Sequence, residues 1–150
     1  MRAVLTRVQS ASVAIEGRTV GSIGQGFLVL LGVGPNDNPT ICKKLAEKVC
    51  GLRIFTDPEG KMNLGLDEVG GQLLVVSQFT LYGDCKKGRR PSFTGAALPD
   101  TAIPLYEQFL AECAALGFAP QHGEFGADMQ VASVNDGPVT LILDTETWGW

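Results

Sequence analysis

The sequence predicts an α+β fold in which a largely antiparallel, barrel-like β-sheet is flanked by two helices. Segments that alternate apolar and polar residues, as half-buried strands do, occur near both ends of the chain. Two segments with apolar residues at helical spacing lie between them. The order of these segments lacks a regular strand–helix–strand repeat, which argues against a doubly wound parallel sheet.

The N-terminal part of the chain is predicted to consist of strands. Residues 3–8 and 11–16 alternate in polarity, and a turn at Glu16–Arg18 leads into a strand at 20–23. The continuous apolar run at 27–33 is typical of a central strand that is covered on both faces.

The two helices are predicted from capping residues and periodicity. Asn38 is placed to cap the first helix, with Pro39 at its first position. Its buried face is formed by apolar residues at helical spacing, namely Ile41, Cys42, Leu45, Val49 and Leu52. The second helix is predicted over about 99–116, although Pro104 favours a later start.

The remaining strands are short. A strand is predicted at 53–55 and a buried strand at 73–76, which leads into a polar segment. Two final strands are predicted at 129–134 and 139–143, joined by a loop that contains Gly137 and Pro138.

The charges are distributed unevenly along the chain. Net charge is −4, yet residues 1–90 carry +4 and residues 91–150 carry −8. Four positive charges lie within five positions, at Lys86, Lys87, Arg89 and Arg90. Such a loop is either a solvated surface segment or a contact for a phosphate backbone, because phosphates respond to local potential.

Several functional classes find no support in the sequence. No apolar run is long enough to span a bilayer, and no secretory signal is evident, so a cytoplasmic protein without a membrane partner is predicted. Glycine-rich phosphate-binding motifs are absent. His122 is the only histidine and the four cysteines are scattered, which predicts no metal site, no cofactor and no histidine-based triad.

Two polar segments are candidates for chemistry. Ser77, Gln78, Phe79 and Thr80 directly follow a buried strand, where a strand end with satisfied hydroxyls is the ordinary interpretation. The segment 135–140, Asn-Asp-Gly-Pro-Val-Thr, contains a Gly-Pro pair that by itself predicts an ordinary trans turn.

The chain resembles the D-aminoacyl-tRNA deacylase family, also called D-tyrosyl-tRNA deacylases, from Arg2 to about Asp144. The resemblance depends above all on SQFTL at 77–81 and NDGPVT at 135–140. Further matching blocks are RVQSASV (7–13), GFLVLLGV (26–33), RIF (53–55), GKMNL (60–64), RPSF (90–93) and ADMQV (127–131). It implies one deacylase domain over 1–145, followed by a tail at 146–150 of unassigned role.

This resemblance implies a homodimer whose active site lies between subunits. Ser77, Gln78, Phe79 and Thr80 would line the catalytic pocket of one subunit, and Gly137 and Pro138 would enter from the other through a cis peptide bond. Arg7 would brace the Gly-Pro loop, and Met129 would line the pocket.

The implied reaction is hydrolysis of the ester in D-aminoacyl-tRNA, and of glycyl-tRNA mischarged on the alanine tRNA. Carbonyl groups of Gly137 and Pro138 would hold the substrate ammonium so that an L side chain collides with the motif. Backbone N–H groups near Phe79 and Thr80 would polarise the ester carbonyl. The attacking group would be water, assisted by the ribose hydroxyl, or the Thr80 hydroxyl.

The partner implied by the resemblance is tRNA, and the loop cations Lys86, Lys87, Arg89 and Arg90 would contact its backbone. Two other functions are open to the sequence. One is a related deacylase that removes L-alanine from mischarged tRNA. The other is a non-catalytic RNA-binding module, against which the sequence shows no recognisable aromatic stacking platform.

Overall fold

The computed structural model describes residues 1–150, which form an α+β domain built on one large sheet. Its helices are α1 (Pro39–Cys50), α2 (Leu66–Val69) and α3 (Pro99–Ala115). Its strands are β1 (Arg2–Ile15), β2 (Arg18–Ile23), β3 (Gly26–Gly32), β4 (Phe55–Thr56), β5 (Met62–Leu64), β6 (Gln72–Ser77), β7 (Gln121–His122) and β8 (Gln130–Asp144). No helix combines the length and the apolar character needed to cross a bilayer.

The large sheet contains three antiparallel strand pairs and two parallel pairs. Strand order is β2-β1-β3-β6-β7, and β8 pairs with the other edge of β1. β1 is antiparallel to β2, β3 and β8, whereas β6 is parallel to both β3 and β7. β2 and β7, the first and last strands in this order, also contact each other, so the sheet is a nearly closed barrel.

The prediction of two flanking helices is corrected to three. α1 and α3 lie close to the predicted positions, and Asn38 caps α1 by accepting from the N–H of Ile41 at 3.0 Å. α2 is a four-residue turn ended by Gly70 in the left-handed conformation. It is too short to show helical periodicity, which is why the sequence did not predict it.

Two pairs of predicted strands are each one continuous strand. The segments predicted at 3–8 and 11–16 fall in β1 except for residue 16, and those predicted at 129–134 and 139–143 fall in β8 except for residue 129. The register between β1 and β8 shifts near Val8, where four residues of β8 have no partner on β1. A bulge therefore occupies the place where the sequence predicted a connecting loop.

The core has two parts, one on each face of the sheet. The larger cluster joins the sheet to α1 and α3, and within it the rings of Phe27 and Phe55 stack with centroids 5.2 Å apart. The smaller cluster includes Leu28, Leu74 and Val76, which alternate along their strands with residues of the larger one. This double burial holds β3 and β6 rigidly and fixes where β6 ends.

Candidate active site

The first half of the site begins where β6 ends. Ser77 is the last residue of β6 and pairs with Leu31 of β3, and the N–H of Gln78 donates to the Leu31 carbonyl at 2.8 Å. The chain then turns into a single 3₁₀ turn from Phe79 to Tyr82. The strict strand alternation expected for this segment is therefore broken after Ser77.

A cavity of about 240 Å³ lies beside this turn. Its lining combines the end of β6 with the loop before β8 and the start of that strand: Val76, Ser77, Gln78, Phe79, Phe125, Gly126, Ala127, Met129 and Val131. Four residues predicted for the pocket, Ser77, Gln78, Phe79 and Met129, are thus brought together. The cavity is small, mostly apolar and open at one side, as expected of a subsite for part of a larger substrate.

Thr80 lies beside the cavity without lining it. Its hydroxyl accepts a hydrogen bond from the side-chain amide of Gln78, and this is the only hydrogen bond that its side chain makes. An amide nitrogen cannot take up a proton as a general base does. The N–H groups of Phe79 and Thr80 open the 3₁₀ turn and have no acceptor within it.

The second half of the site is the bulge of β8. It contains Gly137 and Pro138, which are joined by a cis peptide bond and exposed to solvent. The Asn135 side chain spans the bulge, because it accepts from the N–H of Val139 at 3.0 Å and donates to the Thr140 hydroxyl at 3.1 Å. These two bonds fix the shape of a loop whose residues 136–139 have no ladder partner on β1.

Arg7 of the neighbouring strand β1 supports the bulge. It is buried, and its guanidinium donates to the carbonyl of Asp136 at 2.9 Å and to that of Ile54 at 2.6 Å. A side chain built at Gly137 would lie 2.9 Å from a guanidinium nitrogen of Arg7. Arg7 therefore ties the Gly-Pro segment to the core of the same chain.

The Gly-Pro segment does not line the cavity of its own chain. Gly137 and Pro138 are absent from the lining of the cavity that contains Ser77, Gln78 and Phe79. The cavity of a single chain is thus formed without the Gly-Pro segment, which faces solvent on the edge strand β8.

The basic loop, residues 84–92, is closed at its base by a short antiparallel bridge. The backbones of Asp84 and Ser92 exchange two hydrogen bonds, of 2.7 and 2.9 Å. The four cations between them are exposed and none forms a salt bridge: Lys86, Lys87, Arg89 and Arg90. These four side chains are therefore available to bind a polyanion.

Some residues at the site were not predicted from the sequence. Phe125, Gly126 and Ala127 line the cavity from a loop about 50 positions beyond Ser77. Phe93 lies against Phe79, with ring centroids 5.3 Å apart. Neither contact has a local sequence signal, because both arise from segments that meet only in the folded chain.

The other groups with possible chemical roles lie elsewhere. His122 is exposed on β7, and its Nδ1 lies 2.7 Å from the carbonyl oxygen of Gly123. Cys42, Cys50 and Cys113 are buried in the core, where burial raises the pKa of the Cys42 thiol to about 12. No three His, Cys, Asp or Glu side chains converge as a metal site would require.

Two known proteins are similar to this chain over nearly their whole length. A D-aminoacyl-tRNA deacylase of Thermosipho africanus is 59% identical over 146 residues, covering 97% of this chain and 98% of that protein. The corresponding protein of Lacticaseibacillus casei is 58% identical over 146 residues, covering 97% and 99%.

Solved structures show the same fold. A c-Myc DNA unwinding element binding protein superposes with a TM-score of 0.88 at 37% identity, covering 96% of this chain and 98% of the other. A probable eukaryotic D-amino acid tRNA deacylase superposes at 0.80 with 20% identity, covering 95% and 97%, which shows the fold alone. Residues 4–144 match the family described as D-Tyr-tRNA(Tyr) deacylase, and the chain belongs to that family.

Proposed function

We propose that this protein hydrolyses the ester bond of D-aminoacyl-tRNA and releases the free D-amino acid and tRNA. The observation that carries the proposal is near full-length identity of 59% to a D-aminoacyl-tRNA deacylase, in a chain that keeps both SQFTL and NDGPVT. The reaction makes it a carboxylic ester hydrolase that acts in the cytoplasm, where aminoacyl-tRNA is used.

Polarisation of the ester carbonyl is assigned to the backbone at the start of the 3₁₀ turn. The N–H groups of Phe79 and Thr80 have no acceptor within the turn and lie beside the cavity. Two such donors stabilise the negative charge that develops on a carbonyl oxygen under attack. An aminoacyl ester is intrinsically reactive, so this contribution does not require a strong side-chain nucleophile.

The attacking group is proposed to be water, assisted by the ribose hydroxyl next to the ester. Thr80 is a poorer candidate, since its hydroxyl contacts only the amide of Gln78 and no base. Gln78 instead fixes the orientation of Thr80 beside the cavity. Ser77, Phe79 and Met129 shape the walls around the terminal adenosine and the ester.

Chiral selection is assigned to Gly137 and Pro138 of a second copy of the chain, in a homodimer. Support comes from the exposure of both residues and from their absence from the cavity of their own chain. The bulge is held by Arg7 and Asn135, so its carbonyls are presented in a fixed geometry. Those carbonyls accept hydrogen bonds from the substrate ammonium, and an L side chain would collide with the motif.

This arrangement discriminates by steric exclusion and does not select a particular D side chain. D side chains point outward and are broadly tolerated, and glycine has no side chain to collide. The proposal therefore includes glycyl-tRNA mischarged on the alanine tRNA as a substrate.

Comparing hydrolysis of D-Tyr-tRNA with that of L-Tyr-tRNA tests the function directly. The expected result is rapid cleavage of the D ester and an L ester that decays at its spontaneous rate. Equal rates for both would refute chiral selection. Cleavage of L-alanyl-tRNA in preference to the D ester would assign the chain to the alanine-specific activity instead.

A second candidate is a nucleic-acid-binding protein without hydrolytic activity. It is favoured by the similarity to a structure named as a DNA unwinding element binding protein and by the exposed loop cations. Binding of uncharged tRNA together with no acceleration of ester hydrolysis would support this candidate against the deacylase.

A further inference from the structure

Two exposed aromatic rings form a corner at the edge of the cavity. Phe79 is 55% exposed and Phe93 is 38% exposed, although large apolar side chains are normally buried. Their rings meet edge to face, with centroids 5.3 Å apart and planes inclined by 75°. An edge-to-face contact covers only part of one ring, so ring surface of both side chains remains exposed to solvent.

The position of the Phe93 ring is fixed by the residues at the base of the basic loop. A Cβ at Gly83 would lie 2.9 Å from the Phe93 ring, so the ring lies directly over a glycine. The Asp84–Ser92 ladder starts at the next residue and ends immediately before Phe93. Phe93 thus occupies the junction between the loop and the cavity, and Phe79 lines the cavity itself.

Charge and aromatic surface are combined at this junction. The loop carries Lys86, Lys87, Arg89 and Arg90 against a single acid, Asp84, whose carboxylate accepts from the N–H of Lys86. Proteins that bind single-stranded nucleic acids combine cations that follow the phosphates with exposed aromatic rings on which bases stack. The exposed rings of Phe79 and Phe93 beside the loop match this combination, which the sequence did not indicate because the two residues are 14 positions apart.

We propose that Phe93, together with Phe79, stacks an unpaired nucleobase of the 3′ end of the RNA substrate, while the loop 84–92 contacts the adjoining phosphates. The inference builds on the proposed function, which places the terminal adenosine and the ester in the cavity. The stacked base then belongs to the nucleotide that precedes the terminal adenosine. Stacking on a ring is tolerant of base identity, so the platform adds affinity for RNA without reading its sequence.

A binding experiment tests the platform without relying on catalysis. Fluorescence anisotropy compares a short single-stranded RNA ending in CCA with the same RNA lacking the base of its penultimate nucleotide. Loss of one stacked base costs about 1–3 kcal/mol. We therefore expect the wild-type protein to bind the abasic RNA about tenfold more weakly, and Phe93→Leu to bind both RNAs with equal affinity.

Two further variants sharpen the comparison. Phe93→Trp keeps an aromatic face and is expected to retain the preference for the intact RNA. Phe118→Leu removes a half-buried ring away from the cavity and should leave the preference unchanged, which controls for a general effect of losing an aromatic residue. A preference that persists in Phe93→Leu, or one absent from the wild-type protein, would overturn the proposal.

Kinetics separate this role from simple support of Phe79. The ratio of kcat/KM for D-Tyr-tRNA to kcat/KM for the D-tyrosyl ester of adenosine should fall about tenfold in Phe93→Leu, because only the tRNA carries the preceding nucleotide. An equal loss on both substrates would mean that Phe93 only positions Phe79. If the wild-type protein cleaves neither ester, the proposed function fails, and the binding experiment still decides whether the platform exists.

Discussion

Single residues carry the connections on which the site depends, and Arg7 is the clearest case. Its buried guanidinium makes two hydrogen bonds in different directions, one to the bulge of β8 and one to the carbonyl of Ile54. Arginine suits this position because its planar group presents several donors at fixed angles. One side chain thereby couples the Gly-Pro segment to the domain core.

Replacing Arg7 with lysine should therefore uncouple the segment. Lysine keeps the charge but cannot reproduce both bonds, and an unpaired buried carbonyl costs about 1–3 kcal/mol. Urea denaturation should show a loss of this size for Arg7→Lys. Discrimination between D-Tyr-tRNA and L-Tyr-tRNA should also weaken, and unchanged discrimination would contradict the bracing role. The exposed Arg18→Lys serves as the matched control.

The role of Thr80 can be decided by removing its hydroxyl. Loss of a covalent nucleophile lowers kcat by more than about a thousandfold. We expect Thr80→Ala to retain activity within about tenfold of wild type, since no base contacts the hydroxyl. Single-turnover hydrolysis of D-Tyr-tRNA measures this, with Thr80→Ser as the control. A thousandfold loss in Thr80→Ala that Thr80→Ser restores would assign the attack to the side chain.

Tyr106 gives the fold a predictable response to alkaline pH. It is buried, its hydroxyl donates to the Val75 carbonyl at 3.2 Å, and burial raises its pKa from 10.0 to about 12. The tyrosine of the unfolded chain ionises first, so the contribution of Tyr106 to the free energy of unfolding should be constant below pH 10 and fall between about 10 and 12. Urea titrations at several pH values should show a shallower fall for Tyr106→Phe. An identical fall would show that Tyr106 does not contribute.

At the scale of elements, β6 and β8 position the two halves of the site by different means. β6 is buried on both faces and ends at Ser77, so the 3₁₀ turn that follows has a fixed starting point. β8 is an edge strand whose bulge is exposed and depends on side-chain bonds from Arg7 and Asn135. The half proposed to polarise the ester is therefore built by core packing, and the half proposed to select the substrate by hydrogen bonds.

The basic loop is an element whose contribution can be measured through salt dependence. Lys86→Glu/Lys87→Glu should weaken tRNA binding and reduce the slope of log affinity against log salt by about 0.7–0.9 for each phosphate that the loop no longer neutralises. Lys43→Glu/Lys44→Glu on α1 changes the net charge equally and should leave the slope almost unaffected. Equal slopes for the wild type and the loop variant would show that the loop does not bind the RNA backbone.

At the scale of the whole molecule, β8 is an edge strand that exposes both backbone groups and apolar side chains. The strand pairs only with β1, so its other edge carries free backbone groups. Val134 and Ile142 on it are 50% and 73% exposed. In the homodimer proposed above, a second copy of the chain would cover this surface and bring Gly137 and Pro138 to the neighbouring cavity.

Complementation between inactive variants tests this arrangement. Gly137→Ala should inactivate the selecting half, since its φ of +131° disfavours any side chain and a Cβ would press on Arg7. Phe79→Pro should inactivate the catalytic half by distorting the 3₁₀ turn and removing an N–H donor. Each mixed dimer then contains one intact site, so mixing the variants should recover about half the activity per mixed dimer. Recovery of none, with mixed dimers present, would place both halves in one chain.

Much of the fold follows from local patterns in the chain. The Asn38 cap and the apolar stripe of α1 are confirmed because capping and periodicity act over a few residues. The strands β3 and β6 are likewise confirmed, since continuous apolar runs must be buried. The resemblance carried by SQFTL and NDGPVT is confirmed by the family match over residues 4–144.

Tertiary structure alone decided how these pieces are arranged. The bulge that joins two predicted strands into β8 depends on the register against β1, which no local pattern encodes. The Phe79–Phe93 corner and the loop at Phe125 reach the cavity through folding, because residues far apart in the chain meet only when the sheet closes. Sequence alone determined the family and named the candidate residues for the chemistry, and long-range packing determined which of them share a surface.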